Sequence, residues 1–297
     1  MYSKKIKHII SYILRNYCSW IPDKIYLRLL FKVETGASLN LSSPSTFQEK
    51  IQWLKLYNRK NEYTIMVDKI AVKDFVKTKI GIEFIIPTIG TWDNIEQIDL
   101  SQLPNQFVLK TSNGGGSCGV VVCKDKSKFS LSKATALMDG AKGCDIYKGY
   151  REWPYKNVPK RILAEVFIED GKNEDLIDYK FYCFNGEPIY CQVIRDRHSI
   201  ETIDFYDMNW ILQPFVGLNP KAQNGRKPLR KPQNFNTMIE ICRKLSKDIP
   251  FVRIDQYNVN GTIYFGEITF YPGSGLGRFK PHEWNKKLGG LIHLNSI

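Results

Sequence analysis

Two carboxylates, Asp255 and Glu267, flank an Asn260-Gly261 pair in the stretch VRIDQYNVNGTIYFGEITF, residues 252–270. Asn-Gly between two strand-like runs is the strongest short-range signal for a β-hairpin. Side chains alternate across a strand, so register decides which of them share a face. A two-residue loop puts Asp255 opposite Gly266 and sends Glu267 to the other face, among Val252 and Ile254. A three-residue loop over 259–261, with its glycine in a left-handed bulge, pairs Arg253 with Glu267 and Asp255 with Phe265. Arg253, Asp255, Glu267 and Thr269 then share one face, and Val252, Ile254, Tyr264, Ile268 and Phe270 the other. The second register is the expected one, because it keeps a carboxylate out of the core, where an unpaired ion costs on the order of several kcal/mol. Two carboxylates held close on one face call for a cation between them. All-oxygen ligands fit a hard ion such as Mg²⁺, which keeps waters and takes further ligands from phosphates, and so imply a nucleotide. The competing reading pairs Asp255 with Arg253 and Glu267 with a lysine on a solvated sheet.

A second chemical signal is FVLKTSNGGGSCGVVVCK, residues 107–124. Gly114, Gly116 and Gly119 formally satisfy a dinucleotide fingerprint, but that motif needs a following helix, and 120–123 reads as a strand. The Gly-Lys-Ser/Thr ending of a phosphate-binding P-loop is also missing, as are the H-R-D and D-F-G signatures of protein kinases. A glycine loop between two strands instead makes a flap whose backbone N–H groups close over phosphates, with Lys110 just ahead of it; a bare glycine-rich turn is the plainer alternative. The third signal is ILAEVFIEDGKNEDLIDYKFYCFNGEP, residues 162–188. An acidic residue ends one strand and Asp178-Tyr179-Lys180 opens the next, which suits a hinge where the backbone of 166–168 reads an adenine edge.

These signals must be positioned by a mixed set of elements. Residues 1–60 read as helical, with a capping box at Thr46-Phe47-Gln48-Glu49. A helix is predicted over 63–79 with Asp68-Lys69 in its middle, followed by strands over 84–87 and 106–111, a loop through Trp92, and a helix over 131–141. The basic aromatic loop 147–160 marks a boundary. Strands follow over 161–168, 176–184 and 188–195, then a basic loop over 217–233 and a helix over 235–247; from Tyr271 onward a flexible loop is predicted.

The 297 residues carry 43 Lys and Arg against 30 Asp and Glu, a net +13. This charge implies an anionic partner without choosing among nucleic acid, acidic lipid, nucleotide and acidic polysaccharide. No zinc-finger spacing, RNP-type motif or heptad occurs, so specific nucleic-acid reading is not expected. Seven cysteines with no C-x-x-C point to a reducing cytoplasm. No run approaches the ~20 apolar residues needed to span a bilayer. Ile6, Ile9, Ile10, Ile13, Leu14 and Tyr17 fall at helical spacing beside Lys5 and Arg15. This stripe is read either as packed on the body or as resting on an anionic membrane through residues 4–17, at the inner membrane face.

The motifs TFQEKIQWLKLY (46–57), VDKIAVKDFV (67–76), FVLKTSNGGGSCG (107–119), AEVFI (164–168), DYKFYCFNGEP (178–188), VRIDQY (252–257) and YFGEITFYPGSG (264–275) occur in an order that resembles the ATP-grasp superfamily. More closely, they are similar to its branch associated with teichuronopeptide and capsular polysaccharide biosynthesis. The resemblance implies an α+β ATP-grasp fold: two α+β subdomains with antiparallel sheets clasping ATP, preceded by a helical segment. Its divisions would be 1–62, a lid over 63–165, and a metal-binding subdomain over 166–297. It further implies that Lys69 and Lys110 bind ATP phosphates, and that Gly114, Gly115, Gly116, Ser117 and Gly119 fold over them. Glu165 and the backbone of Val166, Phe167 and Ile168 would hold adenine, and one of Asp170, Glu174 and Asp175, with Asp175 foremost, the ribose. Lys180 would lie near the γ-phosphate, and Asp255 and Glu267 would ligate Mg²⁺. Thr269 stands where the superfamily usually has Asn as a third ligand. Arg195, Arg197 and Arg253 are candidates to grip the acceptor carboxylate. The implied reaction is ATP- and Mg²⁺-dependent amide formation between an amine and the carboxylate of an acidic sugar or polysaccharide. The alternatives are an ATP-grasp kinase acting on a sugar hydroxyl, a glycosyltransferase, for which no D-x-D occurs, and a non-catalytic basic protein that binds polymer or membrane.

Overall fold

The computed structural model describes residues 4–115, 118–171, 176–195, 201–218, 223–225 and 228–294. In chain order the elements begin with α1 (Lys4–Tyr17), α2 (Asp23–Thr35), α3 (Phe47–Tyr57), α4 (Glu62–Val67), α5 (Val72–Ile80), β1 (Thr88–Trp92), β2 (Phe107–Thr111), β3 (Val120–Cys123), α6 (Leu131–Gly143) and α7 (Ile146–Tyr150). They continue with β4 (Ile162–Val166), β5 (Asp178–Phe184), β6 (Glu187–Arg195), β7 (Thr202–Asp207), β8 (Val216–Gly217), α8 (Phe235–Ser246), β9 (Phe251–Val259), β10 (Thr262–Thr269), β11 (Phe279–Lys280) and α9 (Trp284–Gly290). The chain divides into two compact units, one of residues 1–59, 147–153 and 174–297, the other of 60–146 and 154–173. The expected three-segment division differs from this one, because the N-terminal helices belong to the same unit as the C-terminal sheet.

The smaller unit is built on an antiparallel sheet in the order β1-β4-β2-β3. Alternation along β2 turns Phe107 and Leu109 toward α6, where they join Ile95, Ile98, Leu103, Ala134, Met138, Ile162 and Ala164 in one core. Lys110 therefore projects from the opposite face. Leu109 faces Ala164 across the β2–β4 pair and Val108 faces Glu165, which puts Glu165 on the same face as Lys110.

The helix expected over 63–79 is two helices, broken at 68–71. Asp68 causes the break. Its side chain accepts from the backbone N–H groups of Ile70 and Ala71 at 2.8 and 3.3 Å, and the Lys69 N–H is given to the Ser112 carbonyl at 3.2 Å. An Asp that bonds the backbone ahead of it favours a helix start over a helix interior. Lys69 thus sits in a turn rather than mid-helix. The strand expected over 84–87 lies at β1 instead, beyond Pro87, whose missing N–H is a poor fit to a ladder.

The larger unit holds an antiparallel sheet in the order β10-β9-β5-β6-β7, a β11-β8 pair, and α1, α2, α3, α8 and α9. Helix α8 covers one sheet face: Phe235 packs on Phe181 with ring centroids 5.7 Å apart, and Gln256 donates to the Met238 carbonyl at 3.0 Å. Helix α3 begins with the expected capping box, Thr46 and Glu49 bonding each other's backbone. Its residues Gln52 and Lys55 then hold the turn that follows β10, through the Ser274 carbonyl at 2.9 and 2.8 Å. The segment after Tyr271 is not wholly loop, since β11 and α9 lie within it.

Candidate active site

The hairpin register is not the expected one. Val259 pairs directly with Thr262, so the loop is the two-residue Asn260-Gly261, with φ of 51° and 91° as a type I′ turn demands. A β-bulge at Gly266 then shifts the register, so that Asp255 faces Glu267 and Arg253 faces Thr269. The bulge restores the grouping of Arg253, Asp255, Glu267 and Thr269 on one face by a different route. A Cβ at Gly266 would lie 3.0 Å from the Asp255 carbonyl oxygen, which makes glycine the residue that fits the extra position.

Ladder pairing extends this face across the sheet. Asp255 faces Glu267 on one side and Lys180 on the other, and Lys180 in turn faces Gln192. The Arg253 guanidinium grips Asp255 with Nε–Oδ1 at 2.6 Å and Nη2–Oδ2 at 2.7 Å, then reaches Glu267 Oε1 and Thr269 Oγ1, each at 3.0 Å. Lys180 Nζ donates to Asp255 Oδ2 and stands 3.8 Å from Asp178 Oδ1. Burial and the neighbouring Glu267 push the Asp255 carboxyl up, against Arg253 and Lys180. Burial works against the Arg253 cation, but Asp255 and Glu267 outweigh it and hold the guanidinium above its ordinary range.

Among the described residues no group of three or more His, Cys, Asp or Glu side chains gathers as a metal centre. The cation between the two carboxylates is Arg253 itself. The oxygens are of the hard type that Mg²⁺ takes, two carboxylates and a hydroxyl from neighbouring strands, and in this structure Arg253 and Lys180 engage them. Glu267 and Thr269 are half-exposed, whereas Asp255 is buried.

The smaller unit carries a second charged cluster. Glu165 is buried and bridges two lysines, Lys73 and Lys110, each 2.5 Å from one of its oxygens. Lys73 also donates to the Ile86 carbonyl at 2.8 Å and to Thr88 Oγ1 at 2.7 Å. Sequence reasoning passed over Lys73; its signal was its place one helical turn after Lys69 in VDKIAVKDFV. Lys69 donates to the Gly114 carbonyl, which anchors the glycine loop rather than leaving that ammonium directed at open space. Gly114 and Gly119 fold the loop back on β2: a Cβ at either would meet Thr111 Oγ1 at 2.5 or 2.3 Å. Thr111 Oγ1 and Asn113 Oδ1 are buried here without a hydrogen-bond partner among the described residues. At the end of β4, Val166 gives its N–H to the Pro87 carbonyl, and just beyond it Phe167 lies under Lys124 at 6.0 Å. Gly116, Ser117, Glu174, Asp175 and Arg197 fall outside the described residues. Arg195 is held by the buried Asp204 at 2.6 Å.

Two expectations follow for the smaller unit. Gly119 has φ of 74°, and an added Cβ would lie 2.7 Å from Ala141 Cβ, a fixed helix atom. Gly119→Ala therefore combines left-handed strain with overpacking and is expected to cost about 2 kcal/mol or more, read from the urea midpoint. For Glu165, burial raises the carboxyl pKa, but Lys110 and Lys73 more than offset it, and the net displacement is downward. A carboxylate depressed on folding stabilises fully above its ordinary value of ~4.3 and loses that contribution as pH falls through the folded value. Thermal midpoints of wild type and Glu165→Gln should accordingly converge as the pH falls from the ordinary carboxylate value through the lower folded one, with the wild type the more stable at neutral pH.

The two antiparallel units, one with a glycine loop beside lysines and one with carboxylates gathered on one sheet face, define an ATP-grasp fold. The chain belongs to the TupA-like ATP-grasp family, whose profile matches residues 49–293. Among solved structures the chain is similar to the D-alanine-D-alanine ligase of Helicobacter pylori, at 18% identity over 84% of this chain and 70% of that one, with a TM-score of 0.47. It is similar also to that of Bacillus anthracis complexed with ATP, at 15% over 70% and 55%, TM-score 0.40. For phosphoribosylamine-glycine ligase of Thermotoga maritima the values are 14%, 70%, 48% and 0.41. The chain thus spans between 48% and 70% of the length of these proteins. No curated protein matches it.

Proposed function

We propose that this protein is an ATP- and Mg²⁺-dependent carboxylate-amine ligase that attaches an amino compound to a uronic-acid-containing surface polysaccharide or its precursor, as in teichuronopeptide and capsule biosynthesis. The observation that carries the ligase reading is the row Glu267, Asp255, Lys180 across three adjacent strands, with Arg253 reaching both carboxylates. Membership of the ATP-grasp family supports the nucleotide.

In such a reaction an acceptor carboxylate oxygen attacks the γ-phosphorus and ADP leaves, giving an acyl phosphate. An amine nitrogen then attacks the acyl carbon, phosphate departs, and the nitrogen gives up a proton. No protein nucleophile is needed, so rate comes from alignment and from fixed positive charge around the transferring group. Asp255, Glu267 and Thr269 would hold Mg²⁺, which would supply charge neutralisation for the phosphates. Lys180, buried in the same row, would place an ammonium toward the γ-phosphate or the acceptor. Arg253 bridges the two carboxylates and orients them, and its fork is shared with them before it is offered to a substrate carboxylate. In the smaller unit, Lys69, Lys73 and Lys110 with the glycine loop would hold phosphates, and the chain leaving β4 at 166–168 would meet adenine.

The test is ADP release with a panel of uronic acids and amino acids. ADP formation that needs both a carboxylate and an amine supports the ligase. ADP formation with a sugar hydroxyl and no amine makes the protein a kinase, and no ADP with any pair removes the proposal.

A further inference from the structure

The N-terminal stripe is not packed on the body. Of the six apolar residues that define it, Leu14 alone is buried; Ile6, Ile9, Ile13 and Tyr17 are exposed, Ile9 by 56% and Tyr17 by 66%. The contacts of α1 with its own unit come from the other side, where Ser11 and Lys7 bond Glu34 and Arg15 meets Tyr150. At ~100° per residue the four exposed positions fall within an arc of about 80°, a continuous apolar stripe. Trp20, exposed by 78%, and Ile25 and Leu29 on the neighbouring α2 are exposed as well. Of the seventeen large apolar side chains exposed among the described residues, eight lie within residues 6–29, Tyr12 included. Scattered exposed apolar residues need no explanation, but a concentration of this kind does.

Charge identifies what covers it. Lys5, Lys24, Arg28 and Lys32 are exposed beside the stripe, the last three at four-residue spacing on α2. The carboxylates nearest in sequence are neutralised: Asp23 by Arg59 and Arg151, and Glu34 by Lys7. A second copy would bring the same positive charge, and the chain as a whole carries +13. Tyr12, Tyr17 and Trp20 are the residue types that settle at the headgroup level of a bilayer. No helix among the described residues is long and apolar enough to cross a membrane.

We infer that α1, Trp20 and α2 dock the protein on the surface of an anionic lipid bilayer, with α1 lying in the interface plane. Apolar side chains enter the acyl boundary while lysine and arginine pair with headgroups. The surface stands independently of the ligase reading.

Flotation of the full chain with vesicles in which about one lipid in four is phosphatidylglycerol, against pure phosphatidylcholine, tests this. Binding to the anionic vesicles only, and its loss near ~0.5 M salt, are expected. Ile9→Glu with Ile13→Glu, both at exposed positions, should abolish binding with the thermal midpoint unchanged. Lys24→Gln with Arg28→Gln should weaken it about 25-fold, at ~5-fold per basic residue lost. Three results would overturn the inference: no flotation with anionic vesicles, flotation that Ile9→Glu/Ile13→Glu leaves intact, or a stable dimer in solution that the same pair of substitutions dissociates.

Discussion

Asp255→Asn is expected to lower ATP-dependent turnover by about 10²-fold or more, the scale of losing one preorganised charge-stabilising group. The substitution keeps the size of the side chain and removes the charge that both Arg253 and Lys180 address. It also takes away one of the two carboxylates proposed to hold Mg²⁺, so turnover should fall even where ATP binding survives. Glu267→Gln should act in the same direction. Near-normal ADP release in both variants would remove these residues from the reaction and leave Arg253 as a structural bridge only.

The largest effect on stability is expected from Asp255→Ala. It strands the Arg253 and Lys180 cations, both almost wholly buried, with the half-exposed Glu267 and the buried Asp178 as the remaining acids beside them. Removing one partner of a buried ion pair costs roughly 3–5 kcal/mol, because an uncompensated charge remains. Glu267→Ala at its more exposed position should cost about 1 kcal/mol or less. Replacing Arg253, Asp255 and Lys180 together by Met, Leu and Met should recover most of the loss in urea unfolding, since apolar residues of similar size often match a buried ionic group. Equal destabilisation by Asp255→Ala and Glu267→Ala would contradict the burial gradient across this face.

Much of the core was legible in the sequence because it rests on local rules. The strands read over 161–168, 176–184 and 188–195 match β4, β5 and β6 to within two residues at either end, and Thr46 with Glu49 announces α3. What failed did so where two local rules compete. Counting pleats from the Asn260-Gly261 turn left one residue too many, and the extra residue was assigned to the turn. The signal that resolves it was Gly266, an isolated glycine inside a strand pattern, which marks a bulge. Likewise, Asp68 satisfies a helix periodicity and a cap at once; the cap won because its carboxylate bonds two backbone N–H groups directly. The Lys73–Glu165–Lys110 bridge depends on bringing α5 against β4 and β2, a pairing that no sequence spacing encodes. Strand β7 and the short β8 and β11 were passed over because they sit beside basic, turn-rich segments that read as loop.

Binding of ATP measured by titration calorimetry, with and without Mg²⁺, on wild type and Glu267→Gln, tests the central claim most directly. Glu267 is exposed enough that its loss should leave the fold intact, so a change in binding reports on the site. Tight binding that requires Mg²⁺ in the wild type, and a loss of that Mg²⁺ dependence in Glu267→Gln, is the predicted result. Binding of ATP equally well without Mg²⁺, or a Mg²⁺ dependence that Glu267→Gln leaves untouched, would contradict it.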